Sequence, residues 1–185
     1  SYKLALNYVK EHKKKDTIYI LTNNDCYFDK DVELIKKIDF KKGKRVLTFT
    51  RKDRLADGTI VNAVNPSPGD EDGVKFDETQ TLNYEELPTM ALYSSDAWAF
   101  TPKLADTNAT VDMQLGRSTC EEQFHGRIYE DGYELYNVGI NGFIKCIHLH
   151  LSGLRHIKKW KEETDFDDWQ YVHNFRKGDH TEINE

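Results

Sequence analysis

Apolar positions in the first dozen residues fall at Leu4, Ala5, Tyr8 and Val9, a three-and-four spacing that predicts a helix over Tyr2–His12 with one buried stripe. The basic run Lys10–Lys15 closes it, where cations complement the helix dipole. Next comes the β-rich run Ile18-Tyr19-Ile20-Leu21, which turns polar at Asn23-Asn24-Asp25. Asp29 and Asp31 ahead of Val32-Glu33-Leu34-Ile35 predict a capped short helix, and Lys41–Lys44 a turn. Arg45–Arg51 alternates as a second strand ending in a cation. Lys52–Glu86 lacks apolar periodicity and holds Gly58, Pro66, Pro68, Gly69 and Gly73, so it reads as a loop-rich or hairpin insert over a site.

Ala97–Thr101 is strand-like, with Asp96 at its entrance; Lys103–Gly116 fits no single pattern. Cys120–Glu130 reads as a helix, with Thr119 at the N-cap, Gln123 near the capping-box position, and Cys120, Phe124 and Ile128 on one face. Asp131-Gly132 closes it. Glu134–Val138 and Gly142–His150 are further strands, the latter carrying Ile144, Cys146, His148 and His150 on one side. Leu154–Trp160 is a short helix or turn. The tail 161–185 carries Trp169, Tyr171 and Phe175, which suit docking on the body.

Strands mixed with helices predict an α/β fold, and 185 residues suffice for one core, so 1–185 is expected to form a single domain. A charged fraction of 31% against 38% hydrophobic marks a wet surface. The net charge of −6, with no basic block beyond Lys10–Lys15, argues against a dedicated nucleic-acid binder. No apolar run has the length of a membrane span and no signal peptide is visible, so a soluble, cytoplasmic protein is expected. Cys26, Cys120 and Cys146 are widely spaced with no CxxC, which predicts free thiols rather than a disulfide framework or a zinc knuckle. The chain opens at Ser1 inside a predicted helix, and a chain trimmed at its N-terminus is the expectation.

Several groups could carry chemistry, each with a plainer reading beside it. A strand ending in Asn23-Asn24-Asp25 delivers oxygens to a sheet edge, where they suit a hard cation such as Mg²⁺ or Mn²⁺ and its phosphates; the alternative is an Asn/Asp turn. His148-x-His150 puts two imidazoles on one side of a strand, able to share a metal or to be ordinary buried and surface histidines. Glu121-Glu122 sits at a helix start, either as a general base or as ordinary first-turn acids. Asp96 beside Trp98 suits sugar hydroxyls and C–H faces, though Trp98 equally suits a core. Arg51 and Arg155 match phosphate geometry or are surface cations. No Walker loop, GxSxG, HExxH or GxGxxG is present.

Five blocks in order, Ile20–Asp29, Leu47–Arg51, Ser94–Phe100, Leu115-Gly116 with Cys120-Glu121-Glu122, and His148–Ser152, resemble small nucleotide-sugar glycosyltransferases of the GT-A type, as found in bacteria and large viruses. The resemblance implies a GT-A-like mixed sheet flanked by helices. It implies that Asp25, with His148 or His150, binds Mn²⁺ or Mg²⁺, and that Asn23, Asn24 and Arg51 face a UDP- or GDP-sugar donor. It implies Glu121 or Glu122 as the base and Asp96 and Trp98 on the side of a carbohydrate or other hydroxyl acceptor. The chain departs from the family at Asn23, which stands where the first Asp of the metal motif belongs, and in lacking the opening β-α-β units.

The leading expectation is therefore a metal-assisted, inverting glycosyltransferase of hexosyltransferase type. The competing ones are a non-catalytic carbohydrate- or protein-binding module on the same scaffold and, more weakly, a metal-dependent phosphoesterase built on the histidine pair.

Overall fold

The computed structural model describes residues 1–41, 43–62, 95–107, 120–139, 144–149 and 176–177. They form a mixed α/β arrangement of two mixed sheets and few helices. Helix α1 (Tyr2–His12) leads into β1 (Tyr19–Thr22) and β2 (Cys26–Phe28). A 3-10 helix follows over Lys30–Lys37, capped by Asp29, whose carboxylate accepts from the Lys30 N–H at 2.7 Å. Then come β3 (Arg45–Phe49), β4 (Arg51–Arg54), β5 (Ile60–Asn62) and β6 (Ala97–Phe100). A short 3-10 helix at Pro102–Asp106, α2 (Cys120–Glu130), β7 (Glu134–Asn137), β8 (Cys146–Leu149) and β9 (Arg176–Lys177) complete the order.

The larger sheet has five strands in the order β1-β6-β3-β7-β9, and the smaller has four in the order β2-β8-β4-β5. Strand β3 pairs antiparallel with β6 and parallel with β7, and β4 pairs parallel with β8 and antiparallel with β5. Every residue of β3 is buried, as the central strand of a sheet covered on both faces must be. The alternation in Ala97-Trp98-Ala99-Phe100 shows what each face meets. Trp98 and Phe100 enter a cluster with Tyr2, Leu6 and Val9 of α1 and Phe124 and Ile128 of α2. Ala97 and Ala99 lie in the opposite cluster with Phe49, Tyr136, Ile144 and Cys146.

Helix α1 has its expected bounds but a different buried stripe. Tyr2, Leu6 and Val9 are inside, whereas Leu4 is 70% and Tyr8 61% exposed. The phase is set by Tyr2, whose ring stacks on Phe124 at 4.3 Å and meets the edge of Trp98 at 5.4 Å. Burial, followed by the neighbouring Cys120, pushes its phenol pKa upward, and the hydroxyl donates to Cys120 Sγ at 3.6 Å. Helix α2 matches its expected bounds and face, and Gly132, with φ of 77°, lies in the turn that follows it. Its Thr119 cap lies outside the described residues, as do 63–86 of the expected insert, Leu154–Trp160 and most of the tail. The first part of that insert is a hairpin, β4 to β5, and from the tail Arg176–Lys177 pairs with Tyr136–Asn137.

The two sheets are joined by strands that pass from one to the other. Arg45–Arg51 is not a single strand: β3 ends at Phe49, Thr50 turns the chain, and β4 begins in the second sheet. Its parallel neighbour β7 leaves the larger sheet beside it and returns as β8 in the smaller one. Asn137 fastens the crossing. Its amide donates to Thr50 Oγ1 at 2.7 Å, and its carbonyl oxygen accepts from the Gly139 N–H at 3.1 Å and the Thr50 N–H at 3.3 Å. Gly139 packs so closely that an added Cβ would lie 2.5 Å from Thr50 N and 2.6 Å from its carbonyl oxygen.

Two expectations follow. Gly139→Ala must push apart two hydrogen-bonded backbones, and a loss of about 3 kcal/mol or more is expected in urea unfolding; a near-neutral result would contradict the close approach. The second concerns His125, fully enclosed and accepting from Trp98 Nε1 at 2.8 Å. Burial lowers its pKa to about 3, so the folded ring stays neutral while an unfolded one takes up a proton below about 6.5. That contribution to stability is complete above the unfolded value and falls by about 1.4 kcal/mol per pH unit on acidification toward the folded value. His125→Gln keeps an acceptor for Trp98, and the stability difference between pH 7 and pH 5 is expected to shrink by about 2 kcal/mol in denaturant titrations.

Candidate functional site

Of the polar groups singled out in the sequence, Asn23, Asp25, Arg51, Asp96 and His148 meet at the seam between the sheets. β1 ends at Thr22, and the next residue reaches across: the Asn23 N–H donates to the Asp96 carbonyl at 3.1 Å, while the Asp96 N–H donates to that of Phe49 at 3.4 Å. The entrance to β6, the exit of β1 and the exit of β3 are thereby tied together. Asp25 opens β2, and its carbonyl accepts from the Leu149 N–H at 2.9 Å, which pins it to the end of β8. In the smaller sheet Asp53 lies opposite His148, Arg51 opposite Cys146, and Cys26 opposite His148. Because side chains alternate along a strand, Arg51, Asp53, Cys26, Cys146 and His148 share one face.

From these positions a continuous polar network forms. Asn23 Nδ2 donates to Asp96 Oδ1 at 2.9 Å. Arg51 Nη1 donates to both Asp96 oxygens at 3.3 and 3.2 Å, and its Nε ion-pairs with Asp53 Oδ1 at 3.3 Å. The same Asp53 oxygen lies 2.9 Å from His148 Nδ1, and His148 Nε2 lies 3.0 Å from Asp25 Oδ2. The network runs from interior to solvent: the Asp53 side chain is 0% exposed, Arg51 11%, His148 14% and Asp25 51%. Three carboxylates against one guanidinium and one imidazole leave it net negative even when His148 is protonated.

The electrostatics follow from this packing. Burial alone would lower the Arg51 pKa, but the Asp96 and Asp53 charges outweigh it and raise the value. The hydrogen bond to Asp53 raises the His148 pKa, against burial and the Arg51 charge. The Cys26 thiol is pushed up by its hydrogen bond with Cys146 and by burial, and none of the three cysteines is in a disulfide.

The sequence expectations can now be placed. Asp25 and His148 come together, with Asn23 and Arg51 in the same network. Arg51 is fastened by two aspartates rather than presented outward, and Asp96 is spent on Arg51 and Asn23. Trp98, expected to face an acceptor, is fully buried against Tyr2, Phe124 and His125 and offers no ring face to a ligand; that expectation is corrected. Asn24 is exposed beside Asp25. Glu121 stands at the start of α2, and its charge and that of Asp96 both act on the Tyr2 phenol. The Glu122 side chain, His150 and Arg155 lie outside what is described. Asp53 was missed, because it fell inside a stretch read as insert. The signal available was Arg51-x-Asp53, two opposite charges on one face of a strand.

Could these residues hold a divalent cation? Among the described residues, no group of three or more His, Cys, Asp or Glu side chains is arranged to do so. Asp25 and His148 nevertheless have the right relation for a pair. Adjacent ligands of an octahedral ion, each about 2.1 Å from it, stand about 3.0 Å apart. Their nearest atoms are 3.0 Å apart, and Asp25 is open to solvent. Mg²⁺ and Mn²⁺ sites commonly use one or two protein groups and complete the shell with phosphate oxygens and water. The donor set fits an ion that arrives with a phosphate ligand, not one held in a protein cage.

Arg51 separates two meanings of the network. Among the described residues Arg51 is the guanidinium that Asp53 and Asp96 share, so Arg51→Met strands both charges and is expected to destabilise by about 3–5 kcal/mol in thermal or urea unfolding. Unchanged stability would mark it as a ligand-facing residue instead. Compared with protein families, with curated proteins and with solved structures, the chain gives no match in any of the three.

Proposed function

We propose that this protein is a glycosyltransferase with a GT-A-like arrangement, moving a sugar from a nucleotide-diphosphate donor to an acceptor hydroxyl, metal-assisted and inverting. One observation carries the reading: Asp25 and His148, separated by 123 positions, bring a carboxylate oxygen and an imidazole nitrogen within 3.0 Å at the solvent end of a net-negative network. The strand ending in Asn23-Asn24-Asp25 places that pair beyond a sheet edge, the usual location for a phosphate-bearing ligand in α/β proteins.

On this reading Asp25 and His148 would hold Mn²⁺ or Mg²⁺, which would supply positive charge against the departing diphosphate. The chain's own contribution is positional. Asp96 fixes the Asn23 amide, and the backbone bond to Leu149 fixes Asp25, so the donor oxygens are ordered before any ligand arrives. Glu121 or Glu122, at the start of α2, takes the proton from the acceptor hydroxyl. A non-catalytic module that binds carbohydrate or protein is the second reading, favoured by the commitment of Arg51 and Asp96 to each other.

Titration of Mn²⁺ with UDP or GDP is expected to give saturable binding that Asp25→Ala abolishes. Glu121→Gln or Glu122→Gln should lower turnover of a UDP- or GDP-sugar by about 10²-fold or more. Full activity in both variants would reject the base, and absence of sugar-nucleotide hydrolysis without acceptor, together with retained carbohydrate binding, would favour the binding module.

A further inference from the structure

His148 lies between two carboxylates, yet a neutral imidazole carries only one ring proton. Which nitrogen keeps it decides what the ring can do. A proton on Nε2 points at Asp25 and closes the solvent end of the network as a hydrogen bond. A proton on Nδ1 leaves a lone pair on Nε2 facing the space that Asp25 also borders.

We propose that Asp53 is a positioning residue that holds the ring proton on Nδ1 of His148 and so turns the Nε2 lone pair toward the side that Asp25 borders, where it can act as a ligand. The competition between the carboxylates is decided by their surroundings. Asp53 is 0% exposed and 2.9 Å from Nδ1, whereas Asp25 is 51% exposed and 3.0 Å from Nε2. At nearly equal distance the buried charge interacts more strongly, since water screens the exposed one. Arg51 Nε ion-pairs with the same Asp53 oxygen at 3.3 Å but does not hydrogen-bond to it, so the imidazole contact at 2.9 Å is the closer one.

A second observation argues that Asp53 is not there for stability alone. Its other oxygen, Oδ2, is buried with no hydrogen-bond partner among the described residues, a costly arrangement for a carboxylate whose ion pair a snug apolar pair could replace. The register fixes the geometry, because Asp53 and His148 are directly opposed on parallel strands. Carboxylates in this position behind a ligating histidine set its tautomer and orient its ring, and their loss typically weakens metal binding about 10–100-fold. The role of Nε2 as a ligand rests on the proposed function; the location of the proton does not.

The test uses the metal-free protein labelled with ¹⁵N-histidine, with His148 assigned among the seven histidines by its loss in His148→Gln. Long-range ¹H–¹⁵N correlation at alkaline pH, where the ring is neutral, reports the tautomer. The expected result is a protonated Nδ1 and an unprotonated Nε2. In Asp53→Asn the surviving carboxylate is Asp25, and the proton is expected to move to Nε2. A wild-type ring protonated on Nε2 overturns the proposal, with no variant needed. Adding Mn²⁺ and UDP should broaden the His148 signals, and Asp53→Asn should require about 10–100-fold more Mn²⁺ for the same effect. Broadening that is absent while the Nδ1 proton is present supports the placement by Asp53 and overturns the cation reading.

Discussion

The structure depends on a crossing that only glycine permits. β3 and β7 run parallel in one sheet and continue as β4 and β8, parallel again, in the other. At the transfer Gly139 lies against the Thr50 backbone, and one amide, Asn137, satisfies groups on both strands. Fixing that crossing fixes the register downstream, since Asp53 opposes His148 only because Thr48 opposes Asn137 and the strands leave together. A slip of one residue would turn every side chain on β8 to the other face and dissolve the network.

What the seam holds is an ordered passage of charge from interior to solvent. Asp53 is sealed, Arg51 and Asp96 are nearly so, and Asp25 stands half in water. Each buried charge has a partner of opposite sign, which is the condition for burying it at all. The excess of negative charge is left at the open end, where Asp25 and His148 meet. An arrangement built for stability alone would favour apolar residues in the interior; this one keeps ionisable groups aligned toward an exposed carboxylate.

Much of this was legible in the chain. The bounds of α1 and α2, the polar termination of β1 at Asn23-Asn24-Asp25, the strand after Asp96, and the face shared by Cys146 and His148 all follow from periodicity and turn chemistry. The convergence of Asp25 with His148 came through a family resemblance, because no local pattern links residues 123 positions apart. The stripe of α1 was misphased because apolar residues occur on both of its faces, and the choice is made by an aromatic cluster with α2 and β6. Trp98 could not be sorted between core and ligand from its neighbours in sequence; its burial is decided by Tyr2 and Phe124 arriving from two helices. Asp53 escaped notice because its importance lies in a cross-strand register, and the break at Thr50 because the strand pattern of Arg45–Arg51 carries no mark of a change of sheet.

The central claim is that Asp25 and His148 act together on a divalent cation that comes with a nucleotide diphosphate. Electron spin-echo envelope modulation of Mn²⁺ bound in the presence of UDP tests it most directly, because the method detects nitrogen bonded to the ion. The account predicts imidazole ¹⁴N modulation in the native protein that disappears in His148→Ala. Bound Mn²⁺ with no nitrogen modulation, or modulation unchanged by that substitution, would contradict it.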